Sequence, residues 1–365
     1  MAPKGRASET SRTKVLVIGA GQAGLAASHE LKRAGIGFLL IDAGSVIGDS
    51  WRKRYDTLTL FSPRSISSLK GMSLPGDPEG YATKDEFADY LAEYAVKDGH
   101  GAIMATRIAS LRKIDETFEA TTTDRRTFIA DAVIVAAGAF QSPRIPTISS
   151  SLSPHVQQIH VANFQTASSV KDGPVLVVGD GASGRDVAAA LASKHVVALS
   201  RGRRRKLFPE RIFGRSTWQW LQWLGLLKAS AGSLVGRRMR RIDPFPNRGN
   251  DDASLARIGI DIRPRLKSFD GSSAVFSDGT KMEPDTIVWA TGYVDDFEWI
   301  AIDGAVDTDG VLLHREGVSP VPGLYFLGRP WQRNRASALI AGAGDDAAFV
   351  VAHLSSRMRS PPRGR

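Results

Sequence analysis

The sequence predicts an α/β protein made of two Rossmann-like domains, the second inserted into the first. Three observations lead to this. A strand, glycine turn and helix start, "VLVIGAGQAGLAASHEL", begins at Val15. A second such stretch, "VLVVGDGASGRDVAAAL", begins at Val175. Each is followed, at a similar interval, by an apolar strand ending in Ala-x-Gly, "DAVIVAAG" at Gly138 and "DTIVWATG" at Gly292. One glycine-rich turn is a weak signal, but two with the same sequel mark a duplicated architecture.

The elements follow in order. Residues 1–13 read as a disordered leader. "KVLVIGAG" is apolar without alternation, as a strand buried on both faces must be. A helix over 22–34 and the strand "GFLLID" come next, then a loop-rich stretch over 43–82 with Gly, Pro and Ser punctuation. "TKDEFADYLAEYAVKDG" is an amphipathic helix, with Thr83 as N-cap and Glu86 completing a capping box. Short antiparallel strands fill 103–135. After the second glycine turn come a helix, the strand "HVVALS", and short strands around "IDIRPR" and "SAVFSDGT". The last segment, "GLYFLGRPWQRNRASALIAGAGDDAAFVVAHL", reads as strand, loop and helix with no third glycine turn before it. It is expected to return to the first domain. The first domain is then 14–162 with 289–354, the second is 163–288, and 355–365 is a disordered basic tail.

The bulk numbers fit two domains, at 365 residues and 42% hydrophobic. The net charge of +10 is concentrated in the two ends and in "RGRRRK", Arg201 to Lys206, leaving the rest close to neutral. That distribution argues against a nucleic-acid partner. There is no cysteine, so disulfides, thiolate metal sites and cysteine nucleophiles are excluded. The seven histidines lack metal-ligand spacing, and no metal is expected. No apolar run approaches the ~20 residues that span a bilayer. Residues 1–14 contain no apolar segment of the signal-peptide kind, and the expected location is cytoplasmic. No motif encodes the oligomeric state, and a homodimer is compatible with the sequence.

Each glycine turn has its own chemistry. Gly19, Gly21 and Gly24 have the GxGxxG spacing, with Ala20, Gln22 and Ala23 between them. The first glycine permits the tight turn, the second lets a pyrophosphate approach, and the third lets helix pack on strand. Asp42 ends the next strand, where a carboxylate accepts ribose hydroxyls and repels a 2′-phosphate. This site suits FAD or NAD. The second turn repeats the spacing with Gly179, Gly181 and Gly184, and with Ala182 and Ser183 at the helix start. Its strand ends in Ser200, followed by Arg201 and the further basic residues Arg203, Arg204, Arg205 and Lys206. A hydroxyl with guanidinium groups suits a 2′-phosphate, hence NADPH. One turn would hold a flavin and the other the nicotinamide that reduces it.

Further motifs strengthen this reading. "GDSW" (Gly48 to Trp51), "RYDTLTLFSPR", "SLPG" with "YATKDEFADYL", "AAGAFQSPRIP", "GDGASG", "IVWATGYVDDFEWI" and "GLYFLGRPWQ" together resemble the class B flavin-dependent monooxygenases, most closely the short bacterial CzcO-like oxidoreductases. The resemblance covers roughly residues 14–354. It implies that Gly19, Gly21, Gly24, Asp42, Ser50 and Trp51 contact FAD, that Phe61 and Ser62 lie beside its isoalloxazine, and that a backbone group at Ile108 reads the adenine. It further implies that Gly179, Gly181, Ser183, Gly184, Ser200 and Arg201 form the NADPH site, and that Thr291 and Gly292 belong to the segment leading between domains. The implied activity uses NADPH and dioxygen to oxygenate a small molecule, an amine, a sulfide or a carbonyl. An NADPH-dependent flavoprotein releasing hydrogen peroxide is the alternative.

Two departures stand out. Of the family fingerprint only "HVANF" remains, with His160 and Phe164, while Pro154 and Val156 replace its Phe and Gly. His160 is therefore read as a linker residue. Phe61 stands where animal-type members carry an asparagine that supports the oxygenated cofactor, and Phe cannot donate that hydrogen bond. The segment "STWQWLQWLGLL", with Trp218, Trp220 and Trp223, is read as a packing helix rather than a membrane-surface one.

Overall fold

The first glycine-turn strand, Thr10–Ile18, lies inside a seven-stranded sheet. The computed structural model describes residues 10–202, 207–242 and 245–359. The sheet runs in the order Ala102–Ile103, Phe38–Ile41, Thr10–Ile18, Thr127–Val135, Thr117–Thr122, Ile108–Ile114. Its glycine-turn half is parallel and its far edge is an antiparallel meander. Along the central strand, Val15 and Val17 face one core and Leu16 and Ile18 the other. The first core is covered by helices Gln22–Arg33, Lys84–Lys97 and Ile340–Arg359. The last of these arrives after strand Leu324–Phe326, which adds in parallel to Val133–Val135. The Thr83 side chain accepts the Glu86 N–H at 3.2 Å, and the Glu86 carboxylate accepts the Thr83 N–H at 2.7 Å, so the expected capping box is formed.

The second sheet has five parallel strands in the order Asp261–Arg263, Val197–Ser200, Val175–Val178, Thr286–Trp289, Gln157–His160. Val175, Val177 and Leu199 pack with the helix Ala182–Leu191 on one face. Leu176, Ala198 and Trp289 pack against Leu266, Ala274 and Phe276 of a small antiparallel sheet on the other.

Three expected boundaries shift. The first strand starts at Thr10, within the expected leader, because its threonine-rich start pairs with Thr127–Ala130. Gln157–His160 belongs to the second sheet as its edge, beside Thr286–Trp289, although the expected first domain runs to 162. The last helix continues to Arg359, past the expected start of the tail at 355.

The two crossings between sheets are tied together. Ser142–Pro143 pairs antiparallel with Tyr293–Val294, the Arg144 N–H donates to Gly292 O at 3.0 Å, and the Thr291 hydroxyl donates to Arg144 O. His160, 3% exposed, completes the joint. Its Nδ1 accepts the Ala162 N–H at 3.1 Å, which leaves Nε2 to donate to Gly292 O at 3.0 Å. Its ring meets that of Tyr293 edge-on at 5.2 Å, and the Tyr293 hydroxyl accepts from Arg54 at 2.6 Å. With both nitrogens committed, the imidazole acts as a linker.

The duplication extends to single atoms. Gly19 has φ +109° and Gly179 has φ +110°. A Cβ on either would lie 2.4 Å from a carbonyl oxygen, of Ala136 or of Ala290. These are the alanines of the two Ala-x-Gly strand ends. A Cβ on Gly24 would lie 1.7 Å from Gly19 O, and one on Gly184 would lie 1.8 Å from Gly179 O. Gly21 and Gly181 differ, since a Cβ there meets nothing within 4 Å.

Two predictions follow from this packing. Gly24→Ala and Gly184→Ala should each destabilise the cofactor-free protein by at least about 2 kcal/mol. Gly21→Ala and Gly181→Ala should leave its Tm almost unchanged; equal losses at all four in thermal unfolding would contradict the packing. The second concerns pH. Burial holds the His160 imidazole below its ordinary pKa of 6.5, and Arg54 pushes the same way. As the pH falls below 6.5 the unfolded chain therefore takes up a proton that the folded chain refuses, and stability is lost. Tm should drop between about pH 7 and pH 5, and less steeply in His160→Gln; parallel curves would contradict this.

Candidate dinucleotide sites and their meeting surface

At the first turn, Gly21 precedes helix Gln22–Arg33 without any side-chain cap. The first amides of the helix therefore point, unpaired, over the open space beside Gly21. That cradle, at the positive end of the helix dipole, fits a pyrophosphate. Asp42 lies in the gap between turn and strand end. Its Oδ2 accepts the Ala20 N–H at 2.6 Å and its Oδ1 accepts the Gly44 N–H at 2.6 Å. Each oxygen keeps a lone pair for a ribose hydroxyl. The residues before Ile108 border this gap, with the Thr106 N–H on Asp42 O at 2.7 Å, and Ile108 itself is half-buried.

Above the turn, the Trp51 indole donates to the Gln22 side chain at 3.4 Å and meets Phe87 edge-on at 4.8 Å. Ser50 is exposed on the same short helix, Asp49–Arg52. Ala23 is buried. A Cβ on Gly328, in the returning segment, would come within 3.0 Å of the Ala23 methyl. Phe61 is 40% exposed, and its carbonyl accepts the Trp218 indole N–H at 2.9 Å. The Ser62 hydroxyl is buried against that of Ser67 at 2.8 Å.

The second turn repeats the cradle, with Gly181 open and no side-chain cap on its helix. Ala182 is exposed and Ser183 half-buried at the helix start. Ser200 lies at the end of its strand. Its side chain is 2% exposed, and its hydroxyl donates to Pro264 O at 3.0 Å and accepts the Leu266 N–H at 2.9 Å. The hydroxyl ties strand to turn. Arg201 does line a cleft of about 260 Å³, where Asp252 holds it at 2.6 Å. Arg203, Arg204, Arg205 and Lys206 lie outside the described residues.

Sequence reasoning missed the acidic lining of this cleft. Asp180 lies in the glycine turn, and Asp251 and Asp252 are remote from it in sequence. Arg185, one helical turn in, was passed over although it is 5% exposed and bridges to Asp252 at 2.8 Å.

The segment holding Phe61 also meets the second domain. The Tyr55 hydroxyl donates to Asp186, on the second glycine-turn helix, at 3.2 Å, and Asn250 donates to the same carboxylate at 2.6 Å. Burial raises the Asp186 pKa against the pull of Arg248, and burial likewise pushes the Tyr55 phenol well up. Arg248 crosses to Leu60 O at 3.0 Å and to the Thr59 hydroxyl at 2.8 Å, with its guanidinium over the Tyr81 ring. The tryptophan segment forms helix Thr217–Trp223. Trp218 is buried in a cluster with Ile66, Leu227, Ala336 and Leu339, so it packs onto first-domain residues. Lys228 bonds Asp345 at 2.8 Å, beside Asp346, which burial pushes up to about 6. Among the described residues no helix is long and apolar enough to cross a membrane, and no group of three or more His, Cys, Asp or Glu could hold a metal.

Known proteins share this plan. Residues 16–210 match the family model described as pyridine nucleotide-disulphide oxidoreductase. The CzcO-like oxidoreductase of Geobacillus kaustophilus is 44% identical, over 92% of this chain and 97% of its own. The indole-3-pyruvate monooxygenase YUCCA8 of Oryza sativa subsp. indica is 26% identical, over 93% and 94%. The solved flavin-containing monooxygenase from Stenotrophomonas maltophilia shares the fold with a TM-score of 0.80, at 23% identity, over 95% and 99%. Disulphide chemistry is closed to a chain without cysteine. With its two glycine turns and no thiol, the chain belongs to the FAD- and NADPH-dependent oxidoreductases of the flavin monooxygenase and CzcO-like family.

Proposed function

We propose that the chain takes two electrons from NADPH and places one atom of dioxygen on a small soft nucleophile, an amine or sulfide, or on a carbonyl, and that it does so in the cytoplasm. NADPH, a proton, dioxygen and substrate give NADP⁺, water and the oxygenated product. The observation that carries the reading is the pair of matched open cradles, at Gly21 and Gly181, on two domains fastened to each other through Tyr55, Asp186 and Arg248.

Bound FAD supplies the two-electron relay between nicotinamide and dioxygen. In this reading Gly19, Gly21 and Gly24 with the helix amides hold its pyrophosphate, and Asp42 holds its ribose. Ile108 borders its adenine, and Ser50, Trp51, Phe61 and Ser62 border its ring system. Gly179, Gly181 and Gly184 with Ala182 and Ser183 hold the pyrophosphate of NADPH. Arg201 offers its guanidinium to the 2′-phosphate. Thr291, Gly292 and His160 hold the joint that keeps the two sites aligned. Trp218, buried under Phe61 and Arg335, shields this side from water. The chain's own part is orientation and exclusion of water, and no residue assigned in this reading has a covalent role.

The test is the fate of labelled dioxygen. The FAD-loaded protein is supplied with NADPH and a panel of amines, sulfides and ketones under ¹⁸O₂. Product carrying one ¹⁸O atom for each NADPH consumed is the expected result. One hydrogen peroxide formed from dioxygen for each NADPH oxidised to NADP⁺, with every substrate, would instead make the chain an NADPH oxidase.

A further inference from the structure

The two matched sites place a carboxylate in the same gap from opposite sides. In the first, Asp42 at the strand end reaches back to the Ala20 N–H in the turn, at 2.6 Å. In the second, Asp180 stands in the turn, one residue after Gly179 as Ala20 is one after Gly19. Its Oδ1 reaches forward to the Gly202 N–H beyond the strand end, at 3.4 Å. Its Oδ2 has no hydrogen-bond partner among the described residues, although Asp180 is only 4% exposed. Among the described residues it is ion-paired with Arg185 at 3.6 Å, beyond hydrogen-bond distance. A buried carboxylate oxygen that is ion-paired but accepts no hydrogen bond gains from a hydroxyl donor brought to the cleft. Asp180 lines the cleft that also holds Arg201.

Arg201 is not a free phosphate receptor. Asp252 holds it at 2.6 Å and at the same time holds Arg185 at 2.8 Å. A 2′-phosphate shares Arg201 with the Asp252 carboxylate, which offsets its charge, and sits near the Asp180 carboxylate, which repels it. A 2′-hydroxyl meets neither obstacle, and it brings the donor that Asp180 Oδ2 lacks.

We propose that Asp180 accepts a ribose hydroxyl of the nicotinamide dinucleotide and, with Asp252 restraining Arg201, makes this site take NADH as well as NADPH. This rests on the second turn being the nicotinamide dinucleotide site. Asp180 is then the specificity-determining residue that opposes Arg201, and the preference between the two dinucleotides is narrow.

The experiment needs no turnover. NAD⁺ and NADP⁺ are titrated calorimetrically into the FAD-loaded protein, its Asp180→Asn variant and its Arg201→Ala variant at fixed salt. The wild type should bind both with Kd values within about tenfold of each other. Asp180→Asn keeps the shape and removes the charge. It should tighten NADP⁺, weaken NAD⁺ and widen the ratio by about tenfold. Arg201→Ala should move the ratio the other way. A wild-type preference for NADP⁺ above about a thousandfold would overturn the proposal whether or not the variants fold. So would an Asp180→Asn variant that shifts both affinities equally. If neither dinucleotide binds the wild type, the assignment of the second turn itself falls, and the proposal with it.

Discussion

The structure depends on a close approach of backbone to backbone. In each domain the glycine turn lies against the carbonyl of an alanine at the end of the neighbouring parallel strand, with room for hydrogen but not for carbon. The Ala136 N–H donates to Ile18 O, and the Ala290 N–H donates to Val178 O, each at 2.8 Å. That contact fixes where each helix begins and therefore where its unpaired amides point. The open space beside Gly21 and Gly181 follows from the same geometry. A larger residue at Ala136 or Ala290 would push helix from strand, which is why both strand ends carry Ala-x-Gly.

What could be read from the sequence follows from how local each feature is. The glycine turns, their strand ends and the capping box at Thr83 are set within a few residues, and they stand as expected. Features decided by distant partners were hidden. Gln157–His160 is polar enough to read as a linker and becomes a strand only beside Thr286–Trp289. Ser200 holds the position expected of a ribose sensor, but the turn at Pro264 and Leu266 takes both its hydrogen bonds. Asp180 could be taken for a spacer because its neighbours, Gly202, Arg185 and Asp252, converge on it only in three dimensions. Tyr55 lay inside a recognised motif, yet its partner Asp186 is on the other domain.

The contacts between domains combine the apolar cluster around Trp218 with directional polar ones. Tyr55, Arg248 and Lys228 each cross with hydrogen bonds or ion pairs, and Trp218 adds an indole N–H on Phe61 O. Hydrogen bonds to charged groups contribute about 1.5–3 kcal/mol each, enough for a few of them to hold an orientation. The paired crossings at Ser142–Pro143 and Tyr293–Val294, braced by His160, limit how the domains can turn. The segment Arg54–Ser62 is thereby held against the helix of the second turn. Electron transfer between the two sites needs that alignment, and sequence identity at either turn alone does not supply it.

The central claim is that the two cradles serve one transfer, from nicotinamide to flavin. The most direct measurement leaves out both oxygen and substrate. FAD-loaded protein is mixed anaerobically with one equivalent of NADPH while the flavin absorbance is followed. The account predicts that the yellow colour bleaches in a single turnover, with one NADP⁺ formed per flavin reduced. A protein that binds both FAD and NADPH yet stays yellow would contradict it.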